Sequence, residues 1–423
     1  MVSLAHAGTY FAILVLTLSL VGCIGADAPA ASQVASPTIN TTVTADVFEP
    51  VLVMATSQFN ISFADDGKKI YTAGDGKVVF LDEEGNRIEL VDNFSKALQK
   101  AFFVDIDGER VLVTLGGTKA SLNFFREKGG EWVGETVWAP DLVRLRDAEY
   151  GDVDGDGEKE FVAATHDDGG VWLVKRVNGS WLPEQLWKEN GTNYTHEIEL
   201  GDFDGDGVLD IFANPSAPNV DVGINQPGSV RVFMFHNGSW KNEALFSSSL
   251  THAKELLAFD VNGDNRSDVI APVEGHGVKN ESAPFGFNLV EPTQLLAFAY
   301  GGRNYSLGTA SDLQCRSLVA GDVDGDGVQE LALGCRDTGV YLYYKNGSKW
   351  LHKLIDKDSR AAVHALAFVD FNADGKEELV VANDNSDSVD VYAFSDGVSG
   401  GIERRRLASM PEYDWVWTIY PFK

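Results

Sequence analysis

Gly151-Asp152-Val153-Asp154-Gly155-Asp156-Gly157-Glu158-Lys159-Glu160-Phe161-Val162-Ala163-Ala164 is the stretch from which the rest of the chain can be read. Counted from Asp152, acidic side chains stand at slots 1, 3, 5 and 9, a glycine holds slot 6, and a short apolar run follows. The pattern returns as GDFDGDGVLDIFAN from Gly201, FDVNGDNRSDVIAP from Phe259, GDVDGDGVQELALG from Gly321 and VDFNADGKEELVVAN from Val369. Five copies of so long a pattern make this a repeat protein, and repeats have to be found before domains are counted.

Two shorter copies precede these, SFADDGKKIYTAG from Ser62 and FVDIDGERVLVTLG from Phe103, each with a reduced loop. The first aspartates fall at 65, 105, 152, 202, 260, 322 and 370, so the spacing runs from 40 to 62 residues, the size of a propeller blade. Within a unit the order is an apolar strand, the acidic loop, a second strand such as Phe161 to Ala164, a third such as Val171 to Arg176, a turn and a fourth strand. Four short strands per unit make a blade. The last turn is visible as VNGSWLPEQLW, HNGSWKNEALF and KNGSKWLHKLI, with Lys128-Gly129-Gly130-Glu131-Trp132 as a variant. Trp132, Trp181, Trp240 and Trp350 are therefore expected to pack between blades. The fold expected is all-β, a seven-bladed β-propeller of four-stranded antiparallel blades. Eight blades stay open as an alternative, because Trp415 to Phe422 reads as an extra first strand and Val51 to Ala55 as an unattached fourth strand, which could meet to close the ring.

Alternating carboxylates around a tight loop supply the six to eight oxygens that Ca²⁺ takes. The expected ligands are Asp152, Asp154, Asp156, Glu158 and Glu160 in one loop, and Asp202, Asp204, Asp206, Val208 and Asp210 in the next. Asp260, Asn262, Asp264, Arg266 and Asp268 follow, then Asp322, Asp324, Asp326, Val328 and Glu330, and last Asp370, Asn372, Asp374, Lys376 and Glu378. Slot 7 is expected to give only its backbone carbonyl, which is why its side chain varies. An EF-hand opens with the same letters but needs a bidentate Glu at slot 12 and flanking helices. Slot 12 here is Ala163, Ala213 or Leu333, and the flanks are β-like. Without a cation such carboxylates repel one another and their pKa values rise. The truncated loops at Asp65 and Asp105 are not expected to bind. About five calcium sites are thus expected, with a structural role.

These residues resemble the FG-GAP or VCBS repeats of integrin α-chain propellers and of many prokaryotic surface proteins, from about residue 50 to the C-terminus and most closely from Gly151 to Asn383. The resemblance implies that each acidic loop joins the first two strands of a blade on one face of the ring. It also implies that ligands meet the opposite face, which would include the long links Asn214 to Pro227 and Pro272 to Thr293. The sequence has no integrin-like partner domain or cation-dependent insertion domain, so the resemblance does not by itself carry the adhesive role across.

The N-terminal apolar run Gly8 to Gly22 reads as an export signal. Its end, Leu20-Val21-Gly22-Cys23, resembles a prokaryotic lipobox, although the first residues hold no Lys or Arg; an ordinary cleaved signal or an uncleaved anchor are the alternatives. The organisation expected is a signal with lipobox over 1–23, lipidated at Cys23, a flexible Ala/Ser/Thr/Pro tether over 24–49 and a propeller over 50–423. The compartment expected is extracytoplasmic, at the cell surface. Cys315 and Cys335 flank one acidic loop on strands that should pair, where a disulfide or two buried thiols would fit. Eleven Asn-x-Ser/Thr triplets occur, but those at Asn178, Asn237 and Asn346 are Asn-Gly-Ser at hairpin tips, where a tight turn explains Asn-Gly.

The 423-residue chain carries 63 acidic against 34 basic residues, and its formal charge of −29 repels a phosphate backbone, which excludes nucleic acid as a partner. Binding or adhesion to a protein or glycan is the function expected, without catalysis. An enzyme acting on polysaccharide and a structural envelope component are the alternatives. His166, His196, His252, His276 and His364 lie near candidate loops, but no Ser-His or Cys-His motif accompanies them, and they are expected to be surface residues.

Overall fold

The second strand of each repeat explains the architecture. Glu160–Thr165, Asp210–Ser216, Asp268–Val273 and Glu330–Cys335 are buried at every position. A strand covered on both faces by neighbouring sheets reads as a continuous apolar run rather than an alternating one. The fourth strands, such as Ser180–Lys188 and Ser239–Ser248, sit at the rim and are mostly exposed. The computed structural model describes residues 34–35, 38–41, 48–63, 69–166, 168–188, 194–218, 225–283, 286–357, 365–383, 387–411 and 414–422.

Among the described residues seven antiparallel sheets follow one another as blades. Blade 2 runs Leu98–Ile106, Glu109–Gly116, Leu122–Lys128 and Glu131–Trp138; blade 3 starts at Leu145–Gly151 and blade 4 at Tyr194–Gly201. Blades 5, 6 and 7 start at Leu257–Phe259, Cys315–Gly321 and Ala365–Val369. Blade 1 closes the ring: its innermost strand is the C-terminal Asp414–Pro421, paired with Leu52–Phe63, then Lys69–Leu81 and Arg87–Lys96. The two termini therefore complete a seventh blade. Leu52–Phe63 is its second strand, not the fourth strand expected for Val51 to Ala55, because the N-terminus supplies three strands and the C-terminus only the innermost one. Asp65 lies outside the described residues.

Two short pieces within the segment read as a tether, Val34–Ala35 and Thr38–Thr41, pair with the outer strands of blades 2 and 1. Cys23 and the rest of the export signal fall outside the described residues. In six blades the pairing of third and fourth strands carries a register shift at the same place, as at Val171/Trp172, Val230/Arg231 and Val340/Tyr341, so the units repeat in geometry as well as in sequence. Asn178-Gly179 and Asn237-Gly238 have positive φ at both residues, as a two-residue hairpin turn requires.

The core lies between blades. Phe124 of blade 2 meets Phe161 and Trp181 of blade 3 at centroid distances of 5.4 and 5.7 Å, and Trp132 stacks on Phe80 of blade 1 at 6.1 Å. Of the long links, the second builds its own hairpin, His276–Lys279 with Phe287–Glu291, between the second and third strands of blade 5. Cys315 and Cys335 are register partners and are joined as a disulfide, Cα–Cα 3.9 Å.

Candidate metal loops and a charged channel mouth

Each acidic loop joins the first and second strands of a blade, and its own amides fold it. Asp152 accepts from the Gly155 and Gly157 amides at 2.8 and 3.0 Å, and Glu160 reaches back to the Val153 amide at 3.2 Å. The loops at Asp202 and Asp322 repeat these bonds. As a result slots 1, 3 and 9 converge: Asp152/Asp154/Glu160, Asp202/Asp204/Asp210 and Asp322/Asp324/Glu330 each bring three ligand oxygens within 4.8 Å of one another. These clusters could hold a metal ion.

Slot 5 behaves differently from slots 1, 3 and 9. Asp156, Asp206, Asp264, Asp326 and Asp374 each accept from the amide of slot 7, which is Glu158, Val208, Arg266, Val328 and Lys376 in turn. In the two Asn-bearing loops the side-chain amide faces carboxylates instead of completing a three-acid cluster. Asn262 Nδ2 lies 3.0 Å from Asp268 Oδ2, and Asn372 Nδ2 lies 3.1 Å from Asp374 and 3.3 Å from Glu378. Asp105 has only a tight Asp107-Gly108 turn, its carboxylate taking the Gly108 amide at 2.9 Å.

Two observations are compatible with a metal ion in these loops. Burial, reinforced by the neighbouring aspartates, pushes Glu160, Asp210 and Glu330 up to about 7. Asp154 Oδ1 and Asp324 Oδ1 are buried without a hydrogen bond. Sequence reasoning missed two basic neighbours: Lys175 Nζ lies 2.6 Å from Asp154, and His236 Nε2 lies 2.9 Å from Asp204 with Nδ1 3.4 Å from Asp206.

The other end of the ring gathers residues from the starts of innermost strands and the ends of second strands. His196 and Arg146 lie on the innermost strands of blades 4 and 3, and Arg316 on that of blade 6. His252 and Lys254 precede the innermost strand of blade 5, where Ala253 bridges Val273, and Glu274 follows that blade's second strand. His252, Lys254, Glu274 and His196 are 2, 4, 6 and 3% exposed, so three of the groups buried here are His or Lys rather than core apolar residues. Glu274 is the hub: Oε2 is 3.4 Å from His252 Nε2 and from Gln314 Nε2, and Oε1 is 3.9 Å from both Lys254 Nζ and Arg316 Nε. Glu274 Oε1 and Arg316 Nε are buried without a hydrogen bond. His196 Nε2 meets Ser216 Oγ at 3.0 Å, with the His166 and His252 rings 5.5 and 6.2 Å away.

The electrostatics are unusual for so acidic a chain. Burial first, then Arg316, Arg146 and Arg336, push Lys254 down to about 7. Burial also takes His252 down to about 4, so it is neutral at pH 7. For Glu274 burial acts upward, but Lys254, His252 and Arg316 outweigh it and hold the carboxyl below its ordinary value. His196 and His252 are thus buried, where surface histidines were expected; His276 is half-buried on the blade 5 hairpin, and His364 lies outside the described residues. Further along the channel Lys100 Nζ sits 2.7 Å from Asp147 and also pairs with Glu149. Burial opposes the Lys100 charge, yet these two carboxylates hold its pKa well above the ordinary value. Burial with neighbouring acids raises Glu197 and Glu199 well above theirs, and Glu255 to about 8.

No curated protein matches this sequence. Among solved structures, a proposed 6-phosphogluconolactonase of Bacteroides uniformis is similar with a TM-score of 0.54 at 14% identity, over 87% of this chain and 100% of that one. The periplasmic gluconolactonase of Pseudomonas aeruginosa has a TM-score of 0.48 at 14% identity, over 86% of this chain and 99% of its own. A second proposed 6-phosphogluconolactonase, from Bacteroides fragilis, has a TM-score of 0.46 at 10% identity, over 88% and 98%. The first likeness is one of fold, and it corrects the expectation that the chain binds without catalysing. A ring of this shape is found in a chain described as a lactonase, and the far end of this ring gathers ionisable groups that the sequence did not display. A family model, FG-GAP-like repeat, matches residues 152–213 and 322–381, which contain the acidic loops at Asp152, Asp202, Asp322 and Asp370. With those repeats set in a closed ring of seven four-stranded blades, the chain is a seven-bladed β-propeller that carries FG-GAP-like repeats.

Proposed function

We propose that the protein is an exported propeller hydrolase of carbohydrate chemistry, acting at the channel mouth, with Ca²⁺ in the acidic loops of the opposite face holding the blades in register. The observation that carries the reading is the convergence of the buried His252, Lys254 and Glu274 with Arg316, in which Glu274 Oε1 and Arg316 Nε face each other at 3.9 Å without a hydrogen bond. Ionisable groups desolvated and gathered in this way concentrate at functional sites. Lys254, at about 7, is in good part a neutral amine at neutral pH and can accept the proton of an attacking water. Glu274 positions that amine, and the Arg316 guanidinium meets an oxygen on which negative charge develops.

A lactone or ester of a sugar acid suits these groups, and the similar chains described as lactonases make gluconolactone the first compound to assay; glycan chains come second. Calcium is the cation that fits oxygen-only loops of this kind. The export signal, a lipid on Cys23 and the segment 24–49 would hold the ring outside the cytoplasm at the cell surface.

The test is proton release from gluconolactone above the uncatalysed rate, with reducing-end release from a polysaccharide panel, on calcium-loaded protein. Glu274→Gln and Lys254→Met are expected to lower any turnover by about a hundredfold or more. Absence of turnover, with tight binding of a glycan or protein instead, would return the ring to an adhesive role.

A further inference from the structure

The outer hairpins of four consecutive blades carry the same kind of triplet. In blades 3 and 4 the two-residue turns are Asn178-Gly179 and Asn237-Gly238, and Ser180 or Ser239 then pairs with the residue before the turn. Such a turn asks for Asn-Gly and asks nothing of the third place. Ser239 Oγ does donate to His236 O at 3.1 Å, but blade 2, turning on Gly129-Gly130, closes with Glu131 at that place. Blade 6 separates the turn from the triplet. There Asn346 pairs with Lys349, so the turn is Gly347-Ser348, and Gly347 but not Asn346 has positive φ. The turn has moved by one residue, yet Asn-Gly-Ser is kept. In blade 5 the turn holds Gly301 and Gly302, and Asn304-Tyr305-Ser306 follows inside the fourth strand, where no turn calls for asparagine. Asn178, Asn237, Asn304 and Asn346 are all exposed.

Over the whole chain eleven of the twenty-two asparagines head an Asn-x-Ser/Thr triplet, whereas about one residue in nine is Ser or Thr, so chance would give two or three. Their placement follows the sheet edges. A fourth strand is the free edge of its blade, a template for pairing with another chain unless something blunts it. Among the described residues, blades 1 and 2 have that edge covered by Thr38–Thr41 and Val34–Ala35. Blade 7 sets Arg404, Arg405 and Arg406 along its own. Blades 3, 4, 5 and 6 end at their fourth strands, and these are the blades with the triplets. Their outer hairpins also expose Val177, Leu182, Tyr300, Leu351 and Leu354.

We propose that Asn178, Asn237, Asn304 and Asn346 are N-glycosylation sites, and that the sugar chains form a belt over the outer edges of blades 3 to 6. In antiparallel blades the turn between third and fourth strands falls at the same end as that between first and second, so the belt lies on the acidic-loop side and leaves the mouth open. The donor is an oligosaccharide carried on a lipid phosphate. Asparagine Nδ2 forms a bond to the anomeric carbon, the bond from that carbon to the phosphate oxygen breaks, the lipid phosphate leaves with the electron pair, and Nδ2 gives up one proton. A bulky, solvated chain of this kind suits an exposed edge. The inference rests on the exported reading, which brings the chain to such a donor.

Peptide mass spectrometry of the full chain, purified from the cells that make it, tests the sites one by one. Peptides holding the four asparagines are expected to carry added masses of whole sugar residues. Ser180→Ala, Ser239→Ala, Ser306→Ala and Ser348→Ala should each abolish the addition at their own site alone, whereas Ser180→Thr should keep it at Asn178. A serine that served only the turn would not give that pattern. All four serines are exposed, and the spectra of the unaltered protein decide the question whatever a variant does to stability. Bare asparagines at all four positions in protein recovered from outside the cytoplasm would overturn the belt and leave the exported reading intact. Sugar found only on other triplets would overturn it as well. Unmodified protein confined to the cytoplasm would overturn both readings together.

Discussion

The two ends of the ring are built on opposite plans. At the loop end, each cluster of like charge is made by nine consecutive residues, and the backbone of those nine folds it: slot 1 takes the amides of slots 4 and 6, and slot 9 takes the amide of slot 2. At the mouth the Glu274 cluster is assembled from separate segments; His252, Glu274 and the Gln314/Arg316 pair meet because separate strands end there. The loop end needs a partner from solution to neutralise it. The mouth carries its own counter-charges, imperfectly matched. This difference says where stability should depend on a dissolved cation and where it should not.

The largest effect expected follows from the loop end. With free calcium about tenfold above each Kd, one site adds roughly 1.4 kcal/mol and five add about 7 kcal/mol, against a typical total of about 5 to 15 kcal/mol. Chelation should therefore lower the melting temperature by on the order of ten degrees, and added calcium should restore it. A melt indifferent to chelator would erase the distinction between the two ends.

That distinction also governs what could be read from sequence. The acidic slots, the blade period and the Asn-Gly turns are contiguous signals, so the propeller and its loops were legible from Gly151 alone and its copies. Blade 1 was legible only in part: Trp415 to Phe422 read as a first strand that could meet the N-terminal one, but the place of Val51 to Ala55 in the blade did not show, because the paired strands lie more than 300 residues apart, Met54 facing Ile419. Lys254 and Glu274 gave no signal because nothing local marks a charged residue at a strand end as buried; only closure of the ring decides it. Lys175 and His236 beside the acidic loops escaped for the same reason, arriving from the third strand.

Next in size is the loss of an internal counter-charge. Lys100→Met would leave Asp147, which is buried, without its ammonium partner, and Glu149 with it. Breaking such a pair costs about 3 to 5 kcal/mol. The fall should appear in urea titrations with and without calcium alike, which is what separates the channel from the loops. A deficit that calcium repaired would place Lys100 in the service of the metal loops instead.

The disulfide comes third, and it joins the two plans in one hairpin of blade 6. One end of the Cys315–Gly321 and Glu330–Cys335 pair is the loop at Asp322, and the other is the covalent bond beside Arg316 and Arg336. With a sequence separation of 20, its removal by a Cys315→Ser, Cys335→Ser double change should cost about 3 kcal/mol. Calcium should still bind the variant, because the loop at Asp322 is folded by its own amides. Denaturant midpoints and calorimetry on the same sample would show whether the two ends separate in this way.

The last effect is a slope in pH above 7, to which Lys254 contributes. Lys254 stands at about 7 in the folded chain, against an ordinary 10.5, because of burial and the guanidinium groups of Arg316, Arg146 and Arg336; Glu274 acts in the opposite sense, and His252 and His196 complete its surroundings. Between those values the unfolded chain holds a proton that the folded chain has released, so stability rises with pH from about 7 toward 10.5. His252 has the same sign lower down: folded at about 4 against 6.5, it withdraws stability as pH falls through that interval. The slope is at most about 1.4 kcal/mol per pH unit for each proton. Unaltered protein should gain stability relative to Lys254→Met as pH is raised from 7 to 10 at constant calcium. Parallel curves for the two would mean that Lys254 keeps its proton in the folded state, held by Glu274 as an ordinary buried ion pair, and that the mouth contains no base for hydrolysis.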